Sequence, residues 1–237
     1  MPKLTRLLVS VRSVFEAEIC RRLGVDWIDL KEPSAGSLGA PAMSTALAVS
    51  AYLEDFPHRS VALGELVNLD LATAKTLANL FPVAKVGLSQ LGGSNRWRQQ
   101  LDSLSESIQS DLVPVIYADW NACQSPSPKA VLDWACSKPS RFVLIDTFQK
   151  DGRGLLDHFS VAQLEELVGN ANDSCVGVVL AGSLKLNNVA QLSHIPCAAI
   201  AIRGAACQNG RDNTIDEQLV RQWVNSGSWS QSNKQSA

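Results

Sequence analysis

The chain has 237 residues, a formal net charge of −2, 46% apolar residues and 19% charged ones. Those values suit a globular chain long enough for one large domain or two small ones, and they lie well away from disorder. The slight acidic balance offers no basic face for nucleic acid or an anionic membrane, the N-terminus shows no apolar h-region of signal-peptide type, and no run of about 18 apolar residues appears.

The six cysteines (Cys20, Cys123, Cys136, Cys175, Cys197, Cys207) are scattered, with no Cys-x-x-Cys pair. They are expected to be buried small hydrophobes in a reducing compartment, which together with the missing leader predicts a cytoplasmic protein.

In chain order, Arg6–Val11 reads as a first strand, and Ser13 with Glu16 as a capping box that opens a helix to about Leu23, stopped by Gly24. A second strand, Val25 to Lys31, runs into the loop Glu32-Pro33-Ser34-Ala35-Gly36-Ser37-Leu38-Gly39. Pro41 opens a second helix ending near Asp55. Ser60–Leu66 is a third strand with a helix from Leu71 to Leu80, and Val83–Leu88 a fourth, followed by a helix through the region of Arg98 to Ser107. Val113–Asp119 and a helix from Pro128 to Cys136 follow, then Phe142–Thr147 and a helix from Val161 to Leu167 capped by Ser160. The last two units are Cys175–Leu180 with a helix near Asn188 to Leu192, and Ala198–Ile202 with a helix from Ile215 to Val224. Several strands are continuous apolar runs, as in sheets buried on both faces. Strand and helix alternate through eight units, which predicts an α/β TIM (β/α)8 barrel as a single domain, residues 1–226, with a Ser/Gln/Asn-rich disordered tail from 227 to 237.

In such a barrel the chemistry sits at the C-terminal ends of the strands. Those ends carry Ser10 and Arg12, Asp29 and Lys31, Glu65, Lys85, Asp119, Asp146 and Lys150, Ser183 and Lys185, and Arg203. The three histidines share no ligand spacing, and Gly-x-Ser-x-Gly, Walker A and Gly-x-Gly-x-x-Gly are absent, so neither a metal nor a cofactor is expected. Clustered lysines and aspartates point instead to imine chemistry. A neutral lysine attacks a carbonyl, a dry pocket or second ammonium keeps it neutral, and carboxylates carry protons.

Asp29 and Lys31 share one face of their strand, where they could act together or form a structural ion pair. Lys85 stands in an apolar strand, where a charge is costly unless used or led out to solvent. Asp119 could cap a turn, and Glu65 and Lys185 are as well explained as rim residues. Gly182-Ser183 and Arg203-Gly204, at the ends of strands seven and eight, occupy the position where this fold usually binds phosphate. The Gly36-Ser37-Leu38-Gly39 turn could serve a second phosphate.

These motifs resemble a known family. Leu7–Arg12, Ile28–Pro33 with Gly36–Ala40, Lys85–Leu88, Asp146-Thr147 with Lys150–Gly152, Leu180–Lys185 and Arg203–Ala205 are similar, in the same order, to the (5-formylfuran-3-yl)methyl phosphate synthases. The resemblance implies a barrel lyase of methanofuran-type cofactor biosynthesis. It would join two molecules of glyceraldehyde 3-phosphate with loss of phosphate and water. It also implies Lys31 as the Schiff-base nucleophile and Lys85 as a proton acceptor, with Asp29, Asp146 and Lys150 completing the site. Glu32 and Ala35 stand where Asn and a charged residue are expected, and Phe148-Gln149 where small or apolar residues are. The expected partner is a phosphorylated triose, with no nucleic acid and no membrane, and the chain is expected to form a homo-oligomer. Two other readings stay open: a different Schiff-base aldolase acting on a sugar phosphate, and a non-catalytic phosphometabolite-binding barrel.

Overall fold

The computed structural model describes residues 5–138 and 140–227; all of the expected tail except Gly227 lies outside the described residues. Eight strands alternate with helices in the order β1 (Arg6–Val11), α1 (Val14–Leu23), β2 (Trp27–Leu30), α2 (Met43–Tyr52), β3 (Arg59–Glu65), α3 (Leu71–Ala78), β4 (Val83–Gly87) and α4 (Arg96–Ser107). They continue as β5 (Asp111–Tyr117), α5 (Pro128–Cys136), β6 (Phe142–Asp146), α6 (Leu155–His158), α7 (Val161–Asp173), β7 (Gly177–Leu180), α8 (Leu186–Leu192), β8 (Ala199–Ile202) and α9 (Glu217–Ser226).

Every strand pairs in parallel with its sequence neighbour, and β8 pairs with β1 through Arg6–Ala199 to Val9–Ile202, closing the barrel. Closure leaves no unpaired edge and turns alternate residues of each strand inward. The inward set (Leu8, Trp27, Ala62, Val83, Val113, Val115, Leu144, Val179, Ala199) fills the bore. The outward set (Leu7, Val9, Ile28, Leu30, Val61, Ala84, Val86 and their counterparts) packs under the helices as the larger core. Continuous apolar strands are the sequence trace of those two cores.

Several boundaries differ from the sequence reading for local reasons. The second helix starts at Met43 rather than Pro41, with Ala42 as a cap that offers no side-chain acceptor. The seventh strand begins at Gly177 because Cys175 takes a left-handed turn at φ 61°. The last helix begins at Glu217, where the Asp216 carboxylate accepts from the Gln218 and Leu219 amides. The short α6 has too few residues to show a helical period and was not expected.

The cysteine expectation holds for Cys20, Cys123, Cys197 and Cys207, which are buried. Cys175 is exposed and Cys136 half-buried. The capping box expected at α1 is only half made. The Ser13 hydroxyl accepts from the Glu16 amide, but the Glu16 carboxylate turns inward to Arg203 instead of back to its cap.

Candidate active site

The mouth of the barrel holds a cavity of about 370 Å³ at the C-terminal ends of the strands. Lys31, Lys85, Asp146 and Lys150 line it, with the turns after β7 and β8 forming its other wall.

Asp29 and Lys31 do not form the ion pair that their spacing allowed. The fully buried carboxylate of Asp29 pairs instead with Lys85 of β4, Oδ1 to Nζ at 2.5 Å. Side chains from alternate strands of a barrel share a layer, so β4 reaches this carboxylate more directly than a residue further along β2. Two hydroxyls complete its shell: Ser60 donates to Oδ1 at 2.6 Å and Ser10 to Oδ2 at 3.0 Å. Trp27 Nε1 in turn donates to the Ser60 oxygen at 3.0 Å and fixes that hydroxyl. Lys85 is therefore held in the bore and does not reach out to solvent.

Lys31 sits in a second, looser arrangement. Its Nζ contacts the Ser37 carbonyl at 3.4 Å, and it makes no ion pair among the described residues. Burial is the main reason why its pKa falls from 10.5 to about 7. The Asp146 carboxylate works against that fall, while the Lys150 and Lys85 ammonium groups add to it.

Asp146 is bracketed. Lys150 Nζ lies 3.2 Å from its Oδ1, the Thr147 amide donates to the same oxygen at 2.7 Å, and the Ser37 hydroxyl lies 3.4 Å from Oδ2. Burial alone would raise its pKa. The two lysines and these hydrogen bonds outweigh burial and hold it below the ordinary carboxylate value. Lys150 is anchored as well by the Thr147 carbonyl at 2.6 Å and hydroxyl at 3.0 Å.

The loop over Lys31 is closed on itself. The Glu32 amide donates to the Gly39 carbonyl at 2.8 Å, and the Ser37 hydroxyl bonds the Thr147 carbonyl at 2.9 Å. Gly39 has no room for a side chain, because a Cβ there would stand 2.1 Å from the Glu32 carbonyl oxygen. Glu32 caps the turn by accepting from the Ser34 amide and hydroxyl at 3.0 and 2.7 Å.

Two expected candidates have structural partners. Asp119 accepts from the Phe148 and Gln149 amides at 2.7 and 2.8 Å and so clamps the loop after β6. Glu65 accepts from the Tyr117 hydroxyl and from the Ser89 amide, passing directly over Gly87. Phe148 packs edge-on against the Tyr117 ring.

The largest departure is Arg203, expected to grip a phosphate. Its guanidinium bonds the Glu16 carboxylate at 2.5 and 3.2 Å and the carbonyls of Ser10, Arg211 and Asn213, which uses all five of its N–H groups. What the β7 and β8 ends offer an anion is backbone. Among the described residues the amides of Gly182, Ser183, Gly204 and Ala205 donate to no protein acceptor, beside a short 3₁₀ turn over Gly204–Ala206. Gly182 (φ 101°) and Ser183 (φ 50°) both take left-handed conformations, which turn the chain sharply after β7.

A family model described as 4-HFC-P synthase matches residues 7–224 of this chain. The chain belongs to that family. Within it, the (5-formylfuran-3-yl)methyl phosphate synthase of Methanococcus maripaludis strain C7 is 31% identical, over 92% of this chain and 97% of its own length. The protein of that name from Methanothermobacter thermautotrophicus is 30% identical, over 91% and 96%. Solved structures at lower identity share the barrel. A phosphoribosyl anthranilate isomerase bound to reduced 1-(o-carboxyphenylamino)-1-deoxyribulose 5-phosphate aligns with a TM-score of 0.64 at 14% identity, covering 94% of this chain and 98% of its own. A 3-hexulose-6-phosphate synthase aligns at 0.56 and 13% identity, covering 92% and 98%. Lys31, Lys85, Lys150, Asp29 and Asp146 all lie within the matched span.

Proposed function

We propose that the protein is a lyase that condenses two molecules of glyceraldehyde 3-phosphate into (5-formylfuran-3-yl)methyl phosphate, with loss of phosphate and water, in methanofuran-type cofactor biosynthesis. Family membership supports the product. The observation that carries the chemistry is Lys31: a buried amine with pKa about 7, at the cavity wall and without an ion-pair partner among the described residues. About half of such an amine is neutral at pH 7 and able to attack an aldehyde, where an ordinary lysine is almost wholly protonated.

Lys31 forms an imine with the first triose, and loss of a proton next to the imine carbon gives an enamine. Lys85 first passes its ammonium proton to the paired Asp29 carboxylate and then, as the free amine, takes the proton from the carbon next to the imine. Loss of phosphate from the second triose leaves an α,β-unsaturated enol aldehyde, and the enamine carbon bonds to its terminal carbon. Hydrolysis frees Lys31, and ring closure of the released aldehyde with the enol oxygen and dehydration give the furan, the second triose keeping its own aldehyde as the formyl group. Asp146, held ionised between Lys150 and Lys31, stabilises the iminium and relays protons during its hydrolysis. The amides of Gly182, Ser183 and Gly204 hold substrate phosphate at the wall, and the Lys150 ammonium, whose N–H groups go to Asp146 and Thr147, adds its charge.

The test is incubation of the purified protein with glyceraldehyde 3-phosphate alone, following furan aldehyde absorbance and released phosphate. Both should rise in step. Borohydride added with the triose should label Lys31 on peptide mapping. A label on Lys85 alone would reverse the two roles, and no label would remove the imine.

A further inference from the structure

Two arginines of the segment after β8 are used in opposite ways. Arg203 is saturated by protein acceptors, two of which are the carbonyls of Arg211 and Asn213. It thereby pins that segment against the barrel mouth. The Arg211 side chain makes a single protein hydrogen bond among the described residues, from Nη2 to the Gly36 carbonyl at 2.8 Å, and its Nε and Nη1 have no protein acceptor there. Its side chain lines the mouth cavity, and its Cβ lies 3.7 Å from where a Cβ on Gly204 would stand. A guanidinium with unspent donors therefore sits beside the β8 turn whose amides are unpaired.

We infer that Arg211 is the arginine that binds a phosphate monoester of the substrate at the β7–β8 wall, with Arg203 as the positioning residue that sets it there. The identity of the ligand class rests on the function proposed above. The fork geometry of a guanidinium suits two oxygens of one phosphate, and the bond that Arg211 keeps to Gly36 gives this contact a second consequence. Gly36 adjoins Ser37, whose carbonyl touches the Lys31 amine. Phosphate binding at Arg211 thus steadies the loop that lies on the reactive lysine, so recognition at one wall is tied to order at the other.

The test is calorimetric titration with glycerol 3-phosphate, a phosphate monoester with no carbonyl, so that no imine forms. Wild type is compared with Arg211→Gln, Arg211→Lys and, as a control for lost surface charge, Lys129→Gln on α5. Arg211→Gln should weaken binding by roughly tenfold to a hundredfold, Arg211→Lys less, and Lys129→Gln not at all. Unfolding temperatures are read in parallel, and if Arg211→Gln fails to fold, Arg211→Lys decides by itself, because it keeps the charge and loses the fork. Unchanged affinity in the folded Arg211 variants would overturn the inference. So would a wild-type protein that binds glycerol 3-phosphate no better than glycerol. Binding that depends on Arg211 in a protein yielding no furan from the triose would leave this inference standing and remove the proposed reaction.

Discussion

Lys31 is an amine whose usefulness depends on how little protein touches it. Burial lowers its pKa to about 7, Asp146 opposes that, and Lys150 and Lys85 reinforce it. The attacking form is the neutral one, so kcat/KM should rise with pH along a limb centred near 7. The two neighbours should move that limb in opposite directions. Lys150→Gln removes a cation that disfavours protonation of Lys31, so its pKa rises and the limb moves to higher pH. Asp146→Asn removes the carboxylate that favours protonation, so the limb moves to lower pH. Shifts of opposite sign are expected, read from pH profiles of borohydride trapping, which does not require full turnover. If both variants shifted the same way, the limb would belong to another group.

At the scale of elements, the loop from Glu32 to Gly39 matters most, since it supplies the only hydrogen-bonding contact to the Lys31 amine among the described residues. Its closure depends on the missing side chain of Gly39, where a Cβ would also meet the Ala35 Cβ at 2.8 Å. Gly39→Ala should open the loop and displace the Ser37 carbonyl while leaving the barrel cores intact. The expectation is a fall of roughly a hundredfold in kcat, the scale of a 1 Å misplacement, with little change in unfolding temperature. A fall in unfolding temperature that matched the lost activity would make Gly39 a folding residue instead. The loop also shows what sequence periodicity misses. Its glycines and serines announced a turn, but the bond between Ser37 and Thr147 spans 110 positions of sequence.

Across the whole molecule, the barrel was legible because the buried strands are apolar runs and several helices have their own start or stop signal. Asp29, Lys31, Lys85 and Asp146 were legible for a related reason: a charge at the end of an apolar strand has few explanations. Arg203 met the same criterion and has a different use, because its partner Glu16 is 187 positions away and read as a local cap. Arg211 was passed over because it lies in the irregular segment beyond the end of β8. The Arg203–Glu16 pair joins the last strand to the first helix, with both side chains almost wholly buried. Arg203→Met would strand the Glu16 carboxylate, though the Arg12 and Ile215 amides still reach it. A loss of roughly 3 kcal/mol in denaturant unfolding is expected, and Glu16→Gln combined with Arg203→Met should cost less than the two single changes summed. Strict additivity would deny the pair any role in holding the closure together.

A neutral amine does not choose its electrophile by charge. The low basicity that suits Lys31 to an aldehyde leaves the same nitrogen open to carbamylation by cyanate, and to bicarbonate-derived carbon dioxide as a reversible carbamate, at a pH where exposed lysines are protected by their protons. What guards it is enclosure: the Ser37 carbonyl on one side and, during turnover, the substrate itself. On the proposed chemistry, this amine would be open in the empty protein and shielded in the occupied one, giving covalent inhibitors a handle that competes with the substrate.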